Sequence, residues 1–433
     1  MLDRFIFTGK FFTISFFLFI PVIFYGNPQP IEISDESGLM DANLRLSAMG
    51  DINLVIEDIT NKINTNDFGE LGAGLIDEGN VKPVICVPGI IGFDMTEEEI
   101  GQEEYFADKL FGCGITKIGG NNAISGSIGI YRKRLRSYSW IDDYVKSNSE
   151  TINDTLVFAH KFEHFIFGVR CGYDFNNTTT TDFYGPRLYH NNIFYGEPSF
   201  LLKAKNNLWT IGFGYQYEKI KYHLEDYGSP EEYLFHTIKL PVIHSGPALN
   251  LGMKFNYQLL KSSYDATIQK GGLFKIQIRY KIRFNDKYLT IGFVSGYENR
   301  QWYFLPRYID IDINKEFQIG FGISYLNLLG IQYQHEVNYY EYNQTAHFNR
   351  ISQGCEILLA NKQIPIRFGY SFGFASRPSS YYLNELENII SAGFGFYPDD
   401  SSLKIDFAGR LKFFKYEGWW YTTPNLGICF KIF

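Results

Sequence analysis

The chain has 433 residues, and its 32 Tyr, 40 Phe and 5 Trp make up 18% of the sequence. The formal net charge of -7 and the pI near 5.7 argue against a nucleic-acid partner, which would need a basic face. A mean hydropathy of -0.16 excludes a bundle of membrane helices, because each spanning helix needs about 20 consecutive apolar residues.

Residues 1–26 have the pattern of a secretory signal peptide. Arg4 and Lys10 precede an apolar run over 11–20, and the helix breakers Pro21 and Gly26 follow it. We therefore expect the chain to be exported, with a retained membrane anchor as the alternative interpretation.

Charge divides the remaining sequence into two parts. Residues 27–110 contain 18 acidic and 4 basic residues, whereas residues 111–433 contain 28 acidic and 34 basic ones. The acidic part shows no sustained alternation, and the Glu run after Thr96, followed by 105–110, predicts a short capped helix. We predict an acidic N-terminal hatch or plug over 27–120 and a second domain over 121–433.

The second domain alternates between apolar and polar residues, the period of strands with two different faces. In residues 274–284, six apolar residues alternate with five polar ones. The segments have about 9–12 residues, which matches the length that a tilted strand needs to cross a bilayer. Because lipid cannot satisfy an open sheet edge, we predict an all-β fold, a transmembrane antiparallel β-barrel of about 14 strands. A soluble β-sandwich with one buried face is the alternative.

The pattern is clear in thirteen segments, and an even-numbered barrel requires at least one more strand, near 153–161 or 233–242. The thirteen segments are 123–133, 163–175, 208–218, 248–259, 273–284, 288–297, 316–326, 329–339, 351–360, 363–374, 388–397, 402–413 and 424–433.

Two further features bear on the barrel. Tyrosines near the strand ends predict aromatic girdles at the membrane interfaces. Gly-Phe-Gly repeats at 212–214, 320–322 and 393–395 place glycine on the inner face, where narrow space or close approach of another backbone would explain them. The girdle tyrosines are Tyr215, Tyr217, Tyr257, Tyr325, Tyr339 and Tyr340.

Six basic residues fall on the predicted inner face. They either bind the acidic group of a substrate or pair with the acidic 27–120 segment and neighbouring strands, and both interpretations stay open. The six candidate substrate-binding residues are Lys275, Arg279, Lys281, Arg283, Arg367 and Arg410.

No pattern predicts catalysis, a cofactor or a metal site. His244-Ser245-Gly246 lacks the G-x-S-x-G elbow of a hydrolase. The glutamates of 97–104 lack the spacing of a calcium loop, and His160 and His164 have no evident third ligand. We therefore expect a protein that is not an enzyme.

A short motif precedes the barrel. It contains Ala48-Met49-Gly50, then Glu57-Asp58, then Ala73-Gly74-Leu75. This resembles the N-terminus of the long-chain fatty acid transporter family of outer-membrane proteins and its secretion-linked relatives. The resemblance implies a 14-stranded barrel with its N-terminal segment folded into the lumen as a hatch.

The same resemblance implies a function and a location, the bacterial outer membrane. In the transporter branch a hydrophobic ligand is captured outside and leaves sideways through a gap in the wall. We therefore expect passive uptake of hydrophobic molecules such as long-chain fatty acids, with the lipid bilayer and a hydrophobic or amphiphilic ligand as partners. The secretion branch implies the alternative, a structural or secretion-machinery barrel that binds other outer-membrane proteins and carries no small-molecule cargo.

Overall fold

The computed structural model describes most of the chain from residue 44 onward. The expected signal peptide and the glutamate run at 97–103 lie outside the described residues, so neither is tested. The described residues are 44–56, 63, 68–78, 84–89, 104–138, 144–163, 165–182, 185–204, 208–224, 231–262, 268–285, 287–300, 313–340, 345–376, 385–398, 403–416 and 419–432.

The described fold is all-β, with one antiparallel sheet of eighteen strands. Most strands are long, and β6 has 19 residues. The strands are β1 (Val84–Gly89), β2 (Glu104–Gly119), β3 (Asn122–Tyr138), β4 (Tyr144–Lys161), β5 (Phe165–Asp182), β6 (Gly185–Lys203), β7 (Trp209–Leu224), β8 (Glu231–Ser245), β9 (Leu249–Ser262), β10 (Ile268–Phe284), β11 (Lys287–Arg300), β12 (Ile313–Tyr325), β13 (Leu329–Tyr340), β14 (Thr345–Leu359), β15 (Ile364–Ser376), β16 (Glu385–Phe396), β17 (Leu403–Tyr416) and β18 (Trp419–Ile432).

Consecutive strands pair with each other around the sheet. The pairing of β1 with both β2 and β18 joins the last strand to the first. Ile85 lies opposite Ile432 on one side of β1 and opposite Ile115 on the other. Each of the eighteen strands therefore has a hydrogen-bonded neighbour on both sides, and the pairings form a ring.

The strand number differs from the expected value of about 14. All thirteen recognised segments are strands, and the two suggested extra sites at 153–161 and 233–242 lie in β4 and β8. The strands β1, β2 and β6 were missed. Pro88 interrupts β1, Pro198 interrupts β6, and a bulge between Lys109 and Phe111 breaks the alternation of β2.

The sheet already begins at Val84, so β1 and β2 lie within the 27–120 segment that was expected to precede the barrel. The part of the expected capped helix at 105–110 is strand β2 instead. Its Tyr-Phe-Ala-Asp-Lys-Leu sequence is compatible with a helix and with a strand. Hydrogen bonding to β3 makes it a strand.

Helical structure is short. Helix α1 spans Leu44–Ala48, and 3₁₀ helices span Gly72–Glu78 and Ala360–Lys362. None of the helices in the described part of the chain is long and apolar enough to cross a bilayer.

The two faces of the sheet differ in chemistry. One face exposes large apolar and aromatic side chains to between 36% and 59%. The other face buries polar side chains, among them Arg279 and Arg367. A soluble sandwich would bury its apolar face instead, so the observed arrangement does not fit that alternative. The exposed set includes Ile124, Leu156, Phe158, Phe194, Phe200, Ile211, Phe213, Phe255, Phe274, Ile291, Phe321, Phe368, Ile390 and Phe394.

Candidate functional site: the N-terminal hoop and the inner wall

The described residues of 44–78 contact the polar face of the sheet on strands from β3 to β18. Helix α1 contacts β15, β16, β17 and β18, and the 3₁₀ helix Gly72–Glu78 contacts β3, β4, β5 and β6. The residues between them meet the strands in descending order: Met49 on β14, Val55 on β12, Phe68 on β9 and Leu71 on β7. A segment that touches both sides of a ring of strands lies inside it. We call residues 44–56, 63 and 68–78 the hoop and the face that they contact the inner wall.

The hoop lies near one end of the ring. Its contacts with β14 and β15 fall at Gly354 and Gly369, close to the 3₁₀ connection at Ala360–Lys362. At this end β2 and β3 are joined by residues 120–121 alone, whereas the opposite end has the connection 301–312 between β11 and β12. The hoop is therefore at the end with the shorter turns.

Glycines in the strands allow the hoop to approach the wall. A Cβ atom at Gly354 or Gly369 would lie closer than 3.0 Å to the backbone of Met49 or Gly50, and one at Gly168 would meet that of Ala73. No side chain fits at such distances, so these glycines are required by contact. The interpretation of the Gly-Phe-Gly repeats is confirmed at 212–214, where a Cβ on either glycine would lie 2.5 Å from a methyl of Leu71.

Side chains of the wall bind the backbone of the first half of the hoop. Gln332 donates to the carbonyl of Asp51 and accepts from the N–H of Leu54, both at 2.9 Å. Arg279 is 1% exposed and donates to the carbonyls of Asn53 and Leu54 at 2.7 and 2.9 Å. These bonds satisfy backbone groups that a buried, non-regular segment cannot pair within itself. Ser324, Ser371 and Ser391 donate to the carbonyls of Val55, Gly50 and Ala48.

The second half of the hoop is held by a charged group on β6, β8 and β9. Glu197 is fully buried, accepts from the N–H of Gly72 at 2.9 Å and pairs with Lys239 at 2.7 Å. Lys254 pairs with the Glu70 carboxylate at 2.5 Å. Burial raises the pKa of the Glu70 carboxyl, but the Lys254 ammonium, with smaller effects from Lys239 and Arg170, leaves that pKa below its ordinary value.

A buried ionic cluster lies beside helix α1. Arg367, which is 0% exposed, donates to Glu356 at 2.7 Å and to Asp406 at 2.6 Å. It also donates to the hydroxyl of Tyr397 at 2.6 Å. Arg45 of the hoop binds the same Glu356 carboxylate at 3.0 Å, so the cluster connects α1 to the wall.

The structure places the six candidate basic residues on strands whose inner faces meet the hoop, but it gives them different environments. Arg279 and Arg410 bind the hoop, Arg410 through an ion pair with Asp51 at 2.8 Å. Arg367 binds carboxylates of the wall itself. Lys281 and Arg283 lie on the same strand as Arg279, nearer the turn at 285–286, and Lys275 lies on the other side of Arg279. Binding of a substrate by any of the six stays a prediction.

The sequence did not identify Lys239, Lys254, Glu197 or Gln332 as candidates. Each lies on the inner face of a strand, and Lys254 is an alternating residue of the recognised segment 248–259. The alternation therefore places Lys254 on the wall, but nothing in the sequence says which wall residues meet residues 44–78.

The inner wall also has an apolar patch at the end away from the hoop, on β6 to β9. Ile193 lies opposite Ile220, which lies opposite Tyr233, and Phe235 lies opposite Leu260. Tyr233 and Leu260 are 3% and 2% exposed. We call these five residues the apolar patch.

No group of three His, Cys, Asp or Glu side chains among the described residues is arranged to hold a metal ion.

No protein-family model matches the chain, and no curated protein matches it. Among solved structures, the FrpB iron transporter from Neisseria meningitidis is 9% identical, with 82% of this chain and 83% of that one covered and a TM-score of 0.47. The toluene transporter TodX from Pseudomonas putida is 9% identical, with 89% and 96% covered and a TM-score of 0.38.

CdiB from Acinetobacter baumannii is 8% identical with a TM-score of 0.42, and the chain spans 60% of its length. These low identities and TM-scores transfer no function, and the fatty acid transporter family stays a prediction.

Proposed function

We propose that the chain is a transmembrane β-barrel of the bacterial outer membrane through which hydrophobic molecules are taken up passively. The observation that carries this proposal is the arrangement of the two faces: a ring of paired strands with apolar side chains exposed outward and a polar wall inward. Lipid tolerates such an outer face and leaves no place for an open sheet edge.

The orientation follows from the connections. Outer-membrane barrels have short turns on the periplasmic side and longer loops outside. The end with the short turns is therefore periplasmic, and the hoop narrows the lumen at that end. The hoop takes the place of the hatch that the family resemblance implies.

The apolar patch is the proposed entry site for cargo. It lies on the inner wall near the external end of β6 to β9. Neither exposure to water nor contact with lipid explains why apolar side chains point inward there. Apolar surface removed from water contributes about 25 cal/mol per Å², so the patch favours apolar solutes. Long-chain fatty acids belong to this class, and Lys275 on the adjacent strand β10 would face their carboxylate.

Replacing Leu260 with asparagine is expected to slow uptake several-fold, because an amide in the patch weakens its contact with apolar solutes. The measurement is entry of the apolar fluorophore N-phenyl-1-naphthylamine into intact cells that carry equal amounts of each barrel. Ile389 is also 2% exposed and lies on β16, away from the patch, so I389N is the matched control and should keep the wild-type rate. F235N provides a second test should L260N fail to fold.

Wild-type cells that take up the fluorophore no faster than cells without the barrel would contradict the proposed function. Mass spectrometry of lipids that co-purify with the barrel, with an unrelated barrel as control, then identifies the cargo class. A stable co-purifying protein with no enriched lipid would support the structural or secretion role instead.

A further inference from the structure

Three glutamates and an asparagine lie together on the inner wall of β11, β12 and β13. Glu298, Glu316 and Glu336 follow the alternation of Gly292, Ser324 and Gln332, which contact the hoop, so all three face inward. They lie four to eight residues along their strands from those contacts, which is about 13–26 Å toward the external end. We call Glu298, Glu316, Glu336 and Asn338 the acidic wall.

Two of the carboxylates are placed against each other. Glu298 lies directly opposite Glu316 in the ladder between β11 and β12. Like charges in directly opposite positions destabilise a sheet. Lys275 on β10 interacts electrostatically with both glutamates, with Glu70 of the hoop and with the ammonium of Lys254.

A second observation is independent of the charges. Asn338 is 5% exposed, lies opposite Glu316, and donates from Nδ2 to Glu336 at 2.8 Å. Its Oδ1 atom has no hydrogen-bond partner among the described residues. A buried acceptor without a partner is unfavourable, and a cation would supply that partner. Both the repulsion and the unused oxygen are relieved by the same kind of ligand.

We propose that the acidic wall attracts small cations into the lumen and makes the pore cation-selective. Rings of Asp and Glu select cations in channels by their charge, without a closed coordination shell. The acidic wall resembles such a site, because its carboxylates do not converge as metal ligands do. This goes beyond the proposed function, because passage of an apolar solute requires no charge on the wall.

The test is the zero-current potential of the purified full-length barrel in a planar bilayer with a KCl gradient. The wild type should favour K⁺ over Cl⁻, and E316Q should lower the permeability ratio several-fold. Glu232 is an exposed glutamate near the external end, paired with Lys219 and Lys221, so E232Q makes the same change of charge outside the acidic wall and should keep the wild-type ratio.

A conservative variant separates charge from structure. E316D keeps the carboxylate and should keep K⁺ selectivity, even if its channels open less often. A wild-type barrel that prefers Cl⁻, that does not discriminate, or that passes no ions would overturn the proposal. So would an E316Q channel with the selectivity of the wild type. None of these results bears on uptake of the apolar fluorophore, so the proposed function stands or falls separately.

Discussion

Replacing Arg367 with methionine is expected to remove about 3–5 kcal/mol from the free energy of unfolding of the barrel. Arg367 is 0% exposed, and its guanidinium binds Glu356 and Asp406 at 2.7 and 2.6 Å. Methionine fills a similar volume but leaves Asp406, which is 1% exposed, without its cationic partner. The measurement is urea-induced unfolding in lipid vesicles, followed by tryptophan fluorescence.

The charge explanation can be separated from packing. The double variant R367M/D406N removes the carboxylate that has lost its cation, while Glu356 keeps its ion pair with Arg45, and should recover part of the lost stability. Lys219 is the control, because its side chain is 30% exposed and pairs at 2.8 Å with Glu232, which is 37% exposed, so K219M should cost about 1 kcal/mol or less. An R367M barrel as stable as the wild type would show that the cluster does not stabilise the wall.

Replacing Gly369 with alanine is expected to separate the first half of the hoop from the wall and to cost about 2–3 kcal/mol. The added Cβ would lie less than 3.0 Å from backbone atoms of Met49 and Gly50, which is shorter than the contacts that Cβ atoms make in proteins. Moving this backbone away would break the hydrogen bond from the Ser371 hydroxyl to the Gly50 carbonyl. The measurement combines unfolding in urea with the rate at which a protease cleaves the hoop in the folded barrel.

Gly373 provides the control for this substitution. It lies four residues along the same strand, on the same face, and its nearest neighbour would be the Glu387 Cβ at an ordinary 3.5 Å. G373A should therefore leave the hoop resistant to protease and change stability by about 0.5 kcal/mol or less. Equal cleavage of the G369A and wild-type barrels would mean that the hoop does not press against β15.

The fold was predictable wherever the strands alternate cleanly. In β10 the residues Phe274 and Ile276 alternate with Lys275 and Gln277. Phe274 on one face is 46% exposed, whereas Arg279 on the other face binds the hoop. A period of two is imposed by the backbone itself, so it survives in the sequence whenever the two environments differ. This is why thirteen segments were identified as strands.

The strands β1, β2 and β6 were missed because their sequences do not alternate clearly between apolar and polar residues. The register of β2 shifts between Lys109 and Phe111, and Pro198 in β6 has no N–H to donate to the ladder. Strand β1 has 6 residues, too few to show a period. The total of eighteen could not be counted from alternation alone.

The position of the hoop was suggested by charge, but charge is only part of what holds it. Asp51 makes an ion pair with Arg410, one of the six basic residues named from the sequence, whereas Glu70 pairs with Lys254, which was not among them. Most of the remaining contacts join wall side chains to hoop carbonyls and amides, as Gln332 does, or place hoop backbone on strand glycines such as Gly354. Backbone groups are present in every sequence, so no composition or spacing reveals which of them a wall residue will bind.

The measurement that tests the account most directly is hydrogen exchange of the hoop in the full-length barrel in lipid. The N–H groups of Leu54, Gly72 and Ala73 donate to buried acceptors of the wall at 2.9 Å. If residues 44–56 and 68–78 form a hoop inside the ring, their amides should exchange as slowly as those of β10 and β14. Exchange of these amides within seconds, with the strands still protected, would contradict the hoop and the narrowed periplasmic end that depends on it.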